Sequence, residues 1–221
     1  CKAPQAEQSV QPNVIYVFPD QYRNQAMEFW GQEGFREKVN FRNDPVHTPR
    51  LNDFARESVV LTSAMSNCPL SSPHRGSLLT GMYPWSNPQA KILPGNAALI
   101  IDTHRITLPK MMRSAGYVTG AVGKWHLGLG DGAVDWNQPI YPGAKEVGYD
   151  YSFIQAATND RVPCIFIENG KGVGLSADDP LYVNYRMNFP GEPTGKDNPE
   201  LLRMHPSVGH GGSIVNGVPR I

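Results

Sequence analysis

Apolar residues are spread unevenly along the chain. A continuous run, Val14-Ile15-Tyr16-Val17-Phe18, predicts a strand buried on both faces, as in a parallel sheet. It stops abruptly at Pro19-Asp20-Gln21. Thr48-Pro49 supplies an N-cap and a first-turn proline, and Leu51, Phe54 and Ala55 follow at helical spacing. Val59-Val60-Leu61-Thr62 predicts a second strand. Ser72-Pro73 opens a further helix, with Leu78 and Leu79 on its apolar side and Gly81 as its stop. Thr107-Leu108-Pro109 opens another, running through Met111 and Met112 to Gly116. Residues 117–122 predict a third strand that leads straight into Gly123-Lys124-Trp125-His126. Strands alternating with helices predict an α/β fold, a largely parallel sheet flanked by helices.

In such sheets the ligand site lies outside the carboxyl ends of the strands. Asp20-Gln21 and Lys124 to His126 fall just past predicted strand ends, and Ser71 falls between a strand and the next helix. Three segments therefore converge on one edge. Beyond residue 131 the chain is rich in turn formers, such as Pro142-Gly143, Asn169-Gly170-Lys171-Gly172 and Pro190-Gly191. Long ordered loops, rather than a second compact core, are expected there.

Charge narrows the field of substrates. Lys+Arg and Asp+Glu number 20 each in the 221 residues, so no bulk field draws the chain to nucleic acid or to an anionic membrane. Affinity for an anionic substrate must come from a local cluster of cations. No stretch is long and apolar enough to span a bilayer. The three cysteines, Cys1, Cys68 and Cys164, are odd in number and irregular in spacing, which gives neither a disulfide framework nor a zinc site. Cys1, followed by the polar run Lys2 to Ser9, fits a mature bacterial lipoprotein in the periplasm or cell envelope. On that reading the lipid is on Cys1 and residues 1–11 are a flexible tether; an arbitrary boundary is the plain alternative.

The segment from Cys68 to Gly81 carries the most chemistry. Ser71 sits at a predicted helix N-terminus, where unpaired N–H groups and the helix dipole favour negative charge. Arg75 is one turn further on, so its guanidinium can return to the same face and clamp a tetrahedral oxyanion. A nucleophile beside an anion clamp suits attack on a sulfate or phosphate ester. The spacing alone is equally compatible with a capped helix that carries a surface arginine.

Ser71, Pro73, Arg75, Leu79, Thr80 and Gly81 resemble the signature of the type I sulfatases, members of the alkaline phosphatase superfamily: Cys or Ser, then x-Pro-x-Arg, then a Leu-Leu-Thr-Gly helix. His74 stands where the family most often has a small serine. Cys68 fails as the nucleophile because Leu70 and Ser72 occupy the proline and arginine positions it would need. The resemblance implies that Ser71 is oxidised to formylglycine by a maturase, of the oxygen-independent kind for a serine. It implies that Asp20, Gln21 and the oxygen on residue 71 bind Ca2+, although Gln21 stands where the family has a second aspartate. It also implies that Lys124 contacts sulfate oxygens and that His126 helps to deprotonate the formylglycine hydrate. Gly123 to Gly128 matches a recurring family segment.

The implied activity is hydrolysis of sulfate esters, with a sulfated glycan or a small sulfate ester as substrate. The alternatives are a phosphodiesterase or phosphonate monoester hydrolase of the same superfamily, and an inactive binding remnant. The resemblance makes residues 12–221 the N-terminal part of a catalytic domain. The second calcium-binding pair, the remaining leaving-group residues and a C-terminal subdomain are then expected elsewhere, and this portion alone is expected to be inactive and to bind calcium poorly. Asp197-Asn198 is the only formal match to that pair, but it stands in a Pro/Gly-rich run with no strand before it. Residues 157–161 read as an exposed polar turn or a substrate-contacting loop, and His205 and His210 are assigned no role.

Overall fold

The computed structural model describes residues 11–158, 161–202, 214–215 and 218–219. Cys1, Asn159, Asp160, His205 and His210 lie outside the described residues. The chain divides into two compact units, Cys1–Met65 and Ser66–Ile221.

In the first unit, helix α1 (Pro49–Arg56) begins at the proline, as the Thr48-Pro49 pair predicts. Thr48 does not cap the helix with its own hydroxyl. Instead the Glu28 carboxylate accepts from the Thr48 N–H (2.9 Å) and from Asn52 Nδ2 (2.7 Å), and the Thr48 hydroxyl accepts from the Glu28 N–H (2.9 Å). Phe29, Trp30 and Ala55 form a small core, with Phe35 and Phe41 edge-on to the buried rings. Two expected strands are absent here. Residues 14–18 and 59–62 join no ladder among the described residues. Val14 to Val17 leave 62–87% of their surface exposed. A continuous apolar run says that both faces favour burial; forming a strand also needs hydrogen-bonding neighbours.

The second unit carries helices α2 (Ser71–Thr80), α3 (Leu108–Ser114) and α4 (Ala144–Val147). Its four-stranded sheet runs β1 (Gly120–Lys124), β2 (Tyr151–Gln155), β3 (Phe166–Glu168) and β4 (Lys171–Gly172). Helix α2 begins one residue earlier than the Ser72-Pro73 pair suggests and ends at Gly81, whose left-handed φ of 68° needs no Cβ to be accommodated. Thr107 caps α3 through the Lys110 N–H and donates its hydroxyl to the Val147 carbonyl. The third strand forms two to three residues later than predicted, over Gly120–Lys124.

The α/β class holds, but only one of the three pairings in this sheet is parallel. Strands β1 and β2 are in parallel register from Gly120↔Tyr151 to Lys124↔Gln155, whereas β2–β3 and β3–β4 are antiparallel. The antiparallel β3–β4 pairing follows from Asn169-Gly170, both at positive φ, which close a two-residue hairpin. The core gathers Leu93, Ile101, Leu127, Trp136, Val147 and Ile167. Trp136 Nε1 donates to the Tyr185 hydroxyl (2.7 Å), and the Asn137 side chain brackets the Leu181 backbone, so the later loops are pinned to this core.

After β1 the chain turns sharply. Gly123 (φ 102°), His126 (φ 54°) and Gly128 (φ 76°) all have positive φ. A Cβ on Gly128 would lie 1.8 Å from the Ala98 carbonyl oxygen. Gly128→Ala is therefore expected to cost upward of about 3 kcal/mol of stability, from a forced φ and a backbone clash together. Urea denaturation measures this, and a loss within 0.5 kcal/mol, about the size of a neutral surface change, would show that the turn can move aside.

Candidate active site

Four of the sequence-predicted residues meet in the second unit. Ser71 opens α2, so its hydroxyl stands at the positive end of a ten-residue helix. Arg75, one turn on, donates from Nε to Ser71 Oγ (3.4 Å) and from Nη1 to the Lys124 carbonyl (2.7 Å). The second bond ties α2 to the end of β1 and holds the guanidinium at the nucleophile. Lys124, the last residue of β1, is half-buried.

His126 reaches the site because, beyond the β1–β2 ladder, two backbone bonds tie residues 125 and 126 to the end of β2 and the residue after it. The Trp125 N–H donates to the Gln155 carbonyl (2.9 Å) and the His126 N–H to the Ala156 carbonyl (3.0 Å). The left-handed backbone at His126 then directs its ring inward, 2% exposed, with Nδ1 3.0 Å from Ser71 Oγ. Such a conformation is costly for a residue with a Cβ and persists only where its surroundings impose it.

Two further groups meet His126 at Nε2: the Leu93 carbonyl at 2.9 Å and Arg161 Nη1 at 3.1 Å. Sequence reading assigned neither. Leu93 is placed by backbone bonds between residues 97–100 and 127–130: the Ile100 N–H donates to the Leu127 carbonyl and the Leu129 N–H to the Ala97 carbonyl, each at 2.9 Å. No side-chain motif announces a carbonyl placed in this way. Arg161 lies in the segment that the sequence reads as an exposed polar turn or a substrate-contacting loop. It is half-buried, and its Nη1 also donates to Thr158 Oγ1 (3.4 Å).

Burial is the largest cause holding the His126 pKa below its ordinary value. The Leu93 carbonyl opposes this, and the Lys124, Arg161 and Arg75 cations add to the depression. His126 is thus neutral near pH 7 and able to accept a proton. His74 is likewise lowered by burial and then by Arg75; its Nδ1 lies 2.8 Å from the Ser66 hydroxyl.

Asp20 and Gln21 belong to the first unit, where both are exposed at a turn and Gln21 has a φ of 48°. Their carboxylate and amide oxygens, like the oxygen on residue 71, suit a hard cation such as Ca2+. No group of three or more His, Cys, Asp or Glu gathers among the described residues. Asp197 and Asn198 bond back within their own loop, Asp197 Oδ2 accepting from Thr194 Oγ1 (2.6 Å) and Asn198 Nδ2 donating to the Thr194 carbonyl (3.3 Å).

Comparison with known proteins follows the same outline. The sulfatase family model matches residues 12–211. An N-acetylgalactosamine-6-O-sulfatase of Bacteroides thetaiotaomicron is 45% identical over 216 residues, which cover 97% of this chain and 40% of that protein. An endo-4-O-sulfatase of the same bacterium is 60% identical over 131 residues, 57% of this chain and 25% of that protein. A solved structure described under metabolism of multiple glycosaminoglycans by that organism superimposes with a TM-score of 0.73 at 50% identity. It covers 79% of this chain and 36% of its own. The chain thus spans about two fifths of the length of the first of these relatives.

The depressed His126 pKa sets the sign of a pH effect. The unfolded chain, whose histidine titrates near 6.5, binds more protons than the folded one once the pH falls below about 7. The stabilisation from a neutral His126 is complete above that value and is lost on acidification towards the folded pKa. Unfolding free energy is expected to fall more steeply from pH 7 to pH 5 in the wild type than in His126→Gln. Equal slopes would place the depressed proton affinity elsewhere.

Proposed function

This chain belongs to the sulfatase family, and on that premise we propose that it hydrolyses the sulfate ester of a sulfated glycan, with oxidised Ser71 as nucleophile. One observation carries the reading: the hydroxyl at the start of α2 lies within hydrogen-bond reach of both a buried neutral histidine and an arginine. The printed activities of the two Bacteroides relatives, a 6-O- and a 4-O-sulfatase, support a sulfated sugar as substrate.

An unmodified serine is a weak nucleophile at neutral pH, and transfer of the sulfuryl group to it would leave a stable ester. Formylglycine at position 71 supplies, as its hydrate, one hydroxyl to attack sulfur and a second whose deprotonation expels sulfate. The rest is done by the chain's own side chains. Helix α2 and Arg75 favour negative charge where the sulfuryl oxygens sit, and the bond to the Lys124 carbonyl spares Arg75 any reorganisation during the reaction. Lys124 adds a second cation at the end of β1. His126, kept neutral by burial, takes the proton from the oxygen on residue 71 through Nδ1 when its Nε2–H is donated to Leu93. Asp20 and Gln21 offer oxygen donors that would hold Ca2+, a Lewis acid suited to a sulfate ester.

Peptide mass spectrometry of protein matured in its natural host tests the nucleophile: a loss of two hydrogens at Ser71 is expected. Ser71→Ala should lower kcat by about four orders of magnitude or more, and Arg75→Ala by about a hundredfold or more. An unmodified Ser71 in fully matured protein would reject this mechanism. In the complete matured protein, chelation should remove the activity and calcium should restore it. Activity that survives exhaustive chelation would remove the metal from the proposal.

A further inference from the structure

Two groups at His126 Nε2 make opposite demands. The Leu93 carbonyl, 2.9 Å away, can only accept a hydrogen bond, so it requires a proton on Nε2. Arg161 Nη1, 3.1 Å away, can only donate, so it requires a lone pair there. A neutral imidazole satisfies one at a time. Ser71 Oγ, at Nδ1 on the other side of the ring, does not break the tie, because a hydroxyl both donates and accepts. The choice between Leu93 and Arg161 is therefore also the choice of whether Nδ1 donates to the oxygen on residue 71 or accepts from it.

We propose that Arg161 is a positioning residue that sets the tautomer of His126, and that an anion in the site releases this control. With the site empty, the charge-assisted bond from Arg161 takes the Nε2 lone pair and His126 presents Nδ1–H to residue 71. An anionic ester draws the guanidinium towards its oxygens. Nε2 then bonds to Leu93, and the ring exchanges tautomer through water: one proton leaves Nδ1, one is taken up at Nε2, and the ring charge is unchanged. The lone pair that accepts the hydroxyl proton thus faces residue 71 only when there is an anion to act on. Thr158 Oγ1, 3.4 Å from the same Nη1, offers the guanidinium a second anchor.

The catalytic consequence rests on the sulfatase reading; the tautomer assignment does not. The test uses the complete protein with ring-15N-labelled histidine, His126 being assigned by the signals missing from His126→Gln, and inorganic sulfate as the anion. The wild type is expected to show a protonated Nδ1 without sulfate and a protonated Nε2 with saturating sulfate. Arg161→Met should show protonated Nε2 in both conditions, and Arg161→Lys, which keeps a cationic donor, should fall between. Identical nitrogen patterns in the wild type and Arg161→Met in the absence of sulfate would overturn the assignment. A wild-type ring that ignores bound sulfate would overturn the coupling. Hydrolysis of an aryl sulfate by the matured wild type is scored separately, so a failed sulfatase reading is distinguishable from a failed tautomer assignment.

Discussion

The site depends on the parallel pairing of β1 with β2. Two further backbone bonds, from Trp125 to Gln155 and from His126 to Ala156, follow that ladder, and they carry a histidine from the end of a strand to within 3.0 Å of a hydroxyl 55 residues earlier in the chain. Both backbone bonds are made before the ring's own contacts are counted, so the ring arrives already placed. The left-handed turn at His126, flanked by Gly123 and Gly128, converts the direction of the strand into an inward-facing side chain. The ladder and the packed core hold in place a conformation that a short peptide would abandon.

Around this point the charge is one-sided. Arg75, Lys124 and Arg161 all act on the buried imidazole, and α2 adds its positive end. Such a cluster costs folding free energy through mutual repulsion and desolvation, part of which is offset by carbonyls: Lys124 O receives Arg75, and Leu93 O faces His126. An anion entering such a site would be attracted by all of these cations. The same cations add to the burial that holds the His126 pKa down.

Whole segments of the sequence announced their structure. The Thr-Pro and Thr-Leu-Pro openings and Gly81 as a stop act locally, so a few neighbouring residues suffice to specify them; Asn169-Gly170 was legible only as a turn former within expected loops, not as a hairpin between strands. Ser71, Arg75, Lys124 and His126 were legible because their residue types and spacing resemble a family signature, and the structure brings these four together. The apolar runs at 14–18 and 59–62 were legible as apolar, but not as unpaired segments.

By itself, then, the sequence determined where α1, α2 and α3 begin to within a residue or two, the α/β class and four polar side chains that the fold gathers at Ser71. Only the tertiary structure decided that the sheet would be mixed, that Leu93 and Arg161 would share one nitrogen of His126, and that burial would keep that histidine neutral. The physical reason is range. A cap or a tight turn is settled by contacts within a few residues, whereas a carbonyl 33 residues away and a guanidinium 35 residues away meet only after the chain has packed. Neither a backbone oxygen nor a pKa has a pattern of its own in the order of the side chains.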